Sequence, residues 1–150
     1  MNDAAGYLLA FDVGTRLCGV AIGHPITATA RALTTVQVHH GKVDWKAIDV
    51  LVKEWQPQSF VVGLPLALDG SEQPMTLHAR AFGEQLRQRY GCAVHECDER
   101  FTSKEAARRF AEQRAQGNAK RKHGADIDAL AAQIILESWF ALSDHRQSPA

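Results

Sequence analysis

Three acidic residues lie where predicted secondary-structure elements begin or end, and their side chains are the best suited to chemistry in this chain. Asp12 follows the apolar run Tyr7–Phe11, and Glu99 comes shortly after the strand-like segment Ala93–Cys97. Asp128 opens an apolar helix. Burying a carboxylate costs free energy unless it is paired or binds a cation. If the fold brings the three together, Mg²⁺ or Mn²⁺ would offset their charge, because both ions prefer oxygen ligands.

Basic side chains lie beside two of these acids and are candidates for phosphate binding. Arg100 directly follows the second acid, and a guanidinium has the fork geometry that matches phosphate oxygens. A basic run of Lys120, Arg121 and Lys122 precedes the third acid. A solvated loop is the commoner explanation of such a run, and the segment Gly117–Gly124 around it is predicted to be mobile. Phosphate binding and plain solvation both remain open.

The bulk properties of the chain are those of an ordinary globular protein. Its 150 residues predict a single domain over 1–150, with a core over residues 7–142 and a disordered tail. A formal net charge of zero argues against a protein that coats nucleic acid through its overall charge. No apolar run has the length of a membrane span, so no membrane partner is expected. Three cysteines in apolar surroundings indicate reduced thiols and a cytoplasmic location.

Strand and helix patterns alternate along the chain. The first third reads as three strands with short connections, which favours antiparallel neighbours. The predicted elements are strands at Tyr7–Asp12, Leu17–Gly23 and Ala30–Val38, a helix from Trp45 to Trp55 capped by Asp44, a buried strand at Ser59–Leu64, a helix from Pro74 to Tyr90, a strand at Cys92–Cys97, and helices from Thr102 to Gln116 and from Asp126 to Leu142. This order is that of an α/β protein with a ribonuclease H-like fold, a mixed five-stranded sheet with helices on both faces.

Two glycine-containing segments follow predicted strands, and each has more than one interpretation. In Asp12-Val13-Gly14-Thr15 the acid can be a metal ligand at a strand end. The same segment can be a phosphate loop of the kinase and actin type, or a simple β-turn. Gly63-Leu64-Pro65, with Asp69-Gly70 behind it, either carries a ligand loop or needs its Pro and Gly only for shape. Neither segment decides the function alone.

Four segments in order along the chain resemble the YqgF family of RuvC-like nucleases, whose members are described as Holliday-junction-resolvase-like and as pre-16S rRNA nucleases. The matching segments are Leu9–Thr15, Val61–Pro65 with Asp69-Gly70, Asp98–Ser103, and Asp128–Ala132. The resemblance extends from Tyr7 to Phe140, nearly the whole chain. It implies a ribonuclease H-like fold, a divalent-metal site at Asp12, Glu99 and Asp128, a cytoplasmic location, and a role in processing the 5′ end of the small-subunit rRNA precursor.

One departure from the pattern of classical resolvases concerns the fourth predicted strand. Its segment Val61-Val62-Gly63-Leu64 carries no acid, so Glu99 would have to take that place from the fifth strand. With three carboxylates, the number of bound metals, one or two, stays open.

The predicted function is a hydrolase: a metal-dependent nuclease that cleaves phosphodiester bonds in structured nucleic acid. The three acids would hold Mg²⁺ or Mn²⁺, and Arg100 with the basic run would hold phosphates. The expected partner is precursor rRNA, as the resemblance implies, or branched DNA, with the protein a monomer or homodimer. Alternatives are a Holliday-junction DNA resolvase and a non-catalytic RNA-binding factor of ribosome assembly. A nucleotide-binding domain of the kinase type is disfavoured, because 150 residues leave no room for a second, closing domain.

Overall fold

A six-stranded sheet in the order β4-β3-β2-β1-β5-β6 forms the centre of the protein. The computed structural model describes residues 6–99 and 124–147. In chain order the elements are β1 (Leu8–Val13), β2 (Leu17–His24), β3 (Thr29–His39), β4 (Lys42–Val43), α1 (Trp45–Trp55), β5 (Ser59–Leu64), α2 (Pro74–Tyr90), β6 (Ala93–Asp98) and α3 (Gly124–Gln147). No helix in these two stretches is long and apolar enough to cross a membrane.

The strands pair as a mixed sheet. β1, β2 and β3 are antiparallel neighbours, whereas β5 pairs in parallel with both β1 and β6. Tight turns suffice between antiparallel strands, whereas parallel strands need a longer crossover, which α1 and α2 provide. The predicted α/β class and mixed sheet are confirmed.

The sheet has one strand more than the five predicted. β4 contains only two residues and pairs with Val38 and His39 across a tight turn. The turn residues, His40 and Gly41, have φ values of 51° and 77°. A two-residue strand is too short to show an alternating apolar pattern, so the sequence gives no signal for it.

Alternating side chains along β1 divide the apolar core into two layers. Leu9 and Phe11 face α1 and α2 and belong to a cluster that includes Phe60 and Phe82. Leu8 and Ala10 face the other way, into a second cluster formed with α3. All six residues of β5 are buried, as its continuous apolar sequence predicts. Helices therefore cover both faces of the central strands.

The first two helices have the predicted boundaries. α1 begins after Asp44, whose side chain accepts a hydrogen bond from the backbone N–H of Ala47 at 3.4 Å. It ends at Gln56, which adopts the left-handed conformation with a φ of 47°. Pro74 occupies the first turn of α2, where its missing N–H leaves no bond unmade.

The last helix is longer than predicted. It begins at Gly124 rather than at Asp126, and it continues past Leu142 to Gln147. The backbone of 143–147 is therefore helical rather than part of a disordered tail. The predicted helix Thr102–Gln116 and the segment 117–123 of the predicted mobile loop lie outside the described residues.

Candidate functional site

Asp12 lies near the carboxyl end of β1, in the middle of the sheet. Side chains alternate along a strand, so Asp12 shares the face of Leu8 and Ala10, which is the face covered by α3. Its partner in the antiparallel register is Gly19 on β2. Because β1 and β5 are parallel, the carboxyl ends of both strands meet at one edge of the sheet. Asp12 therefore marks the edge at which a site can form.

Glu99 reaches this edge from two strands away. It directly follows β6, and β5 lies between β6 and β1. A Cβ atom added to Gly63 of β5 would lie 2.6 Å from Oε2 of Glu99. The carboxylate thus occupies the space that a side chain at position 63 would fill. From there it forms a side-chain hydrogen bond with Asp12.

Asp128 approaches from α3, whose first turns lie directly on β2. A Cβ atom added to Gly19 would overlap the backbone carbonyl of Asp128 and come within 3.1 Å of the amide nitrogen of Ala129. Only glycine at position 19 allows this contact between helix backbone and strand backbone. Since Gly19 is the register partner of Asp12, the contact brings Asp128 close enough for its charge to raise the pKa of Asp12.

Burial raises the pKa of all three groups, and neighbouring charges add to the shifts of Asp12 and Glu99. Burial raises the pKa of Asp12 to about 6, with the hydrogen bond from Glu99 lowering it and the charge of Asp128 raising it. Burial, the charge and hydrogen bond of Asp12, and the charge of Asp98 raise the pKa of Glu99 to about 8. Burial also raises the pKa of Asp128. Glu99 is therefore the proton donor of the pair, which titrates as one coupled unit.

The donor set suits a hard divalent cation. The three carboxylates supply only oxygen ligands, which Mg²⁺ and Mn²⁺ prefer, and a cation would replace the proton that Asp12 and Glu99 share. Among residues 6–99 and 124–147, no group of three acidic, histidine or cysteine side chains is already arranged to hold a metal ion. The Asp12–Glu99 hydrogen bond instead turns these two carboxyl groups toward each other. A cation would have to separate them.

The predicted phosphate-binding side chains lie outside the described residues. Arg100 and the basic run of Lys120, Arg121 and Lys122 lie between the two described stretches. Their role in nucleic-acid binding remains a prediction.

Two residues that shape the site do not stand out in the sequence, because Gly19 belongs to no motif and Gly63 lies where the predicted strand Ser59–Leu64 meets the segment Gly63-Leu64-Pro65. Both are glycines inside strands, a position where glycine often marks close approach by another group. That signal was present in the strand patterns of β2 and β5. What the sequence does not show is which group approaches: the backbone of α3 at Gly19, and the carboxylate of Glu99 at Gly63.

A mixed sheet covered on both faces, with acids at the carboxyl edge, defines the ribonuclease H-like class. Two solved structures have the same fold. The chain of "T. thermophilus RuvC in complex with Holliday junction substrate" has a TM-score of 0.58 and 14% sequence identity, over 91% of this chain and 95% of that one. A second structure of Thermus thermophilus RuvC has a TM-score of 0.52, also at 14% identity, over 93% of this chain and 96% of that one. These likenesses establish the fold.

Sequence comparison establishes the family. A family model described as "RuvX: Holliday junction resolvase" matches residues 6–142. A protein of Xanthomonas euvesicatoria pv. vesicatoria named "Putative pre-16S rRNA nuclease" is 47% identical over 143 residues, 95% of this chain and 92% of that protein. A protein of the same name from Xylella fastidiosa is 48% identical over 136 residues, covering 91% and 88%. The chain belongs to the RuvX family. Family membership confirms the prediction of a nuclease that hydrolyses phosphodiester bonds.

Gly63→Ala is expected to displace the Glu99 carboxylate while leaving the fold intact. The new methyl group would also meet Cδ1 of Ile135 at 2.6 Å, but both contacts are with the ends of flexible side chains. We expect a stability cost of about 1–3 kcal/mol and a loss of nuclease activity of about 10²-fold, as for a misplaced catalytic group. Urea unfolding and cleavage kinetics measure the two effects.

The matched control is Gly83→Ala on α2, where the added methyl would lie 3.3 Å from Cγ1 of Val94, on the opposite face of the sheet from the carboxylates. This variant should keep full activity. Unchanged activity in Gly63→Ala as well would show that the position of Glu99 over β5 does not matter for cleavage.

In metal-free protein, the coupled pair should make stability fall as pH rises. The folded-state pKa values of about 6 and 8 lie above the ordinary 3.8 and 4.5, so the folded state holds more protons than the unfolded state between those limits. This contribution is complete below about pH 4 and is lost as pH rises through 6 to 8. Urea unfolding in a chelator, from pH 5 to pH 9, should show the loss, and Asp12→Asn should flatten it. Equal pH slopes in both proteins would contradict the assignment.

Proposed function

We propose that this protein is a metal-dependent nuclease that acts on structured RNA and processes the 5′ end of pre-16S rRNA. The observation that carries the metal dependence is the position of Asp12, which hydrogen-bonds to Glu99 and lies close enough to Asp128 to feel its charge, so that partly buried carboxyl groups gather at one sheet edge. Such a cluster costs free energy in the folded protein unless a cation or a proton offsets the repulsion. The names of the relatives from Xanthomonas and Xylella favour RNA as the substrate.

The three carboxylates would hold Mg²⁺ or Mn²⁺. When bound, the cation supplies charge neutralisation at the scissile phosphate and lowers the pKa of a coordinated water. Asp12 contributes from the central strand and Glu99 from across β5, so the two approach from different directions. Asp12 and Glu99 share a proton, which must leave before both carboxylates can act as ligands. Cation binding therefore releases a proton and becomes stronger as pH rises. Asp128 adds the third ligand from the helix.

Two alternatives have specific support. A solved relative in fold is a RuvC chain in complex with a Holliday junction substrate, which favours branched DNA as the substrate. The acid-free strand β5, which leaves the site with three carboxyl groups rather than four, favours a non-catalytic factor that binds rRNA. Both alternatives predict nucleic-acid binding, and only the second predicts no cleavage.

The proposed compartment is the cytoplasm, and the proposed assembly is a monomer or homodimer. The thiols support the first proposal, because Cys18, Cys92 and Cys97 are all free in the structure.

Asp12→Asn should abolish cleavage while leaving nucleic-acid binding in place. Asn keeps the size of the side chain but removes the charge that a cation needs. The assay compares a precursor rRNA fragment with a four-way DNA junction, each with Mg²⁺, Mn²⁺ or chelator. We expect metal-dependent cleavage of the RNA by the native protein and none by the variant, with binding measured separately by fluorescence anisotropy.

Asp44→Asn is the matched control, because Asn caps α1 as well as Asp does and position 44 is exposed. Thermal melts give a readout besides activity. Metal at one hundred times its dissociation constant should stabilise the native protein and Asp44→Asn by about 2.7 kcal/mol, and Asp12→Asn by less. Cleavage of the DNA junction alone would select the resolvase alternative. Binding of RNA without cleavage under all metal conditions would select the assembly factor.

Reversing the charge of Lys120 and Lys122 to Glu should weaken RNA binding and flatten its salt dependence. Each phosphate contact that is lost should reduce the slope of log affinity against log salt by about 0.7–0.9. The control reverses Lys46 and Lys53, two exposed residues of α1, and so changes the net charge by the same amount. Equal slopes in both variants would assign the basic run to a solvated loop.

A further inference from the structure

A cavity of about 390 Å³ opens beside the turn that follows Asp12. It lies on the face of the sheet opposite the carboxylates. Three segments line it: the end of β1 with the turn after it, the β3–β4 turn with its flanking strand residues, and α2 from Met75 to Gln85. The lining residues are Val13, Gly14, Thr15, Val38, His40, Gly41, Val43, Met75, His78, Ala81, Phe82 and Gln85. Its volume lies within the range of about 300–1,000 Å³ that is typical of small-ligand sites.

The end of β1 separates the cavity from the carboxylates. Asp12 faces α3, whereas the next residue, Val13, packs against the cluster on the α1 and α2 face and lines the cavity. Thr15, also in the lining, is three residues from Asp12, a span of at most about 11 Å of chain. A nucleic-acid strand whose phosphate lies at the carboxylates would therefore have the cavity within reach across the turn.

The floor of the cavity is rigid and apolar. Phe82 is only 3% exposed and is held between two rings. It contacts Phe11 edge to face, with centroids 5.1 Å apart, and it stacks on Trp45 at 5.4 Å with an interplanar angle of 23°. A ring fixed on two sides cannot collapse into the cavity, so this space is pre-formed rather than opened by a ligand.

The rim of the cavity is polar. Thr15, His40, His78 and Gln85 supply hydrogen-bonding groups, and among the described lining residues none is Asp, Glu, Lys or Arg. The described lining therefore offers a phosphate no lysine or arginine. An uncharged planar ring with polar edges fits this lining, because its faces contact the apolar floor and its edge can bond to the rim.

We propose that this cavity binds one unpaired nucleobase of the substrate strand, beside the phosphate held at the carboxylates. The site would make cleavage depend on a nucleotide that is free of its pairing partner, since a base within a duplex cannot enter it. This inference rests on the proposed function, because it takes the substrate strand from it. It adds a specificity-determining contact on the face of the sheet opposite the carboxylates.

The first test observes binding without cleavage. The chain has two methionines, and Met75 lines the cavity. Protein labelled with ¹³C at the methionine methyl groups is titrated, in chelator, with a single-stranded RNA oligonucleotide, the same strand in a blunt duplex, and the single strand without bases. The Met75 signal should shift only with the first. Its failure to shift with single-stranded RNA, or an equal shift with the base-free strand, would overturn the proposal.

The second test is a cycle of protein and substrate changes during cleavage. His78→Ala and Gln85→Ala together should lower kcat/KM about 10- to 100-fold, the range that a stacked base supplies. Removing one base near the scissile phosphate should cost as much, and combining both changes should cost no more than either. The matched control is His39→Ala, because His39 is exposed, bonds to Gln37 at 2.9 Å and does not line the cavity.

The outcomes separate this proposal from the proposed function. Metal-dependent cleavage by the native protein, with additive losses in the cycle, would overturn the cavity and leave the nuclease standing. A Met75 shift that requires an unpaired base, in a protein that cleaves nothing, would support the cavity and overturn the nuclease.

Discussion

The cost of burying three neighbouring carboxyl groups is the constraint to which the rest of this structure is matched. Asp12 and Glu99 are close enough to share a hydrogen bond, and Asp128 adds a third charge. Burial is the largest cause of all three raised pKa values. Each group therefore resists ionisation in these surroundings. The protein holds this unfavourable cluster because apolar layers on both faces of the sheet supply the stabilising free energy elsewhere. A cation at the cluster would recover part of that cost in binding.

Two glycines inside strands allow the close approach that brings the three carboxyl groups together. At Gly19 the backbone of α3 rests on the backbone of β2, which brings Asp128 beside Asp12. At Gly63 the missing side chain leaves room for Glu99 to cross β5. The absence of an acid on β5 and the presence of one after β6 are therefore parts of a single arrangement. An acid at position 63 would occupy the space that the Glu99 carboxylate now fills.

The elements could largely be predicted from local patterns, because each is set by interactions close in the sequence. Asp44 and Gln56 bound α1, Pro74 starts α2, and the apolar run of β5 indicates burial on both faces. The two-residue strand β4 is too short for any such pattern. At the site, the positions of Asp12 and Glu99 at strand ends were visible in the sequence. The hydrogen bond between them was not, because it depends on strand order, which places β5 between their strands.

The end of β1 gives the two faces of the sheet different chemistry within a few residues. A strand alternates its side chains, so consecutive residues must face opposite layers. Asp12 thereby enters the carboxylate cluster under α3, and Val13 enters the cavity beside α2. The short stretch of backbone at the end of β1 therefore connects the cavity, with its rigid Phe82 floor, to the carboxylate cluster. A nucleotide spanning the turn could present its phosphate to one face and its base to the other. A shift of the turn would then disturb both contacts together, so phosphate positioning and base recognition are coupled through the backbone of 12–15.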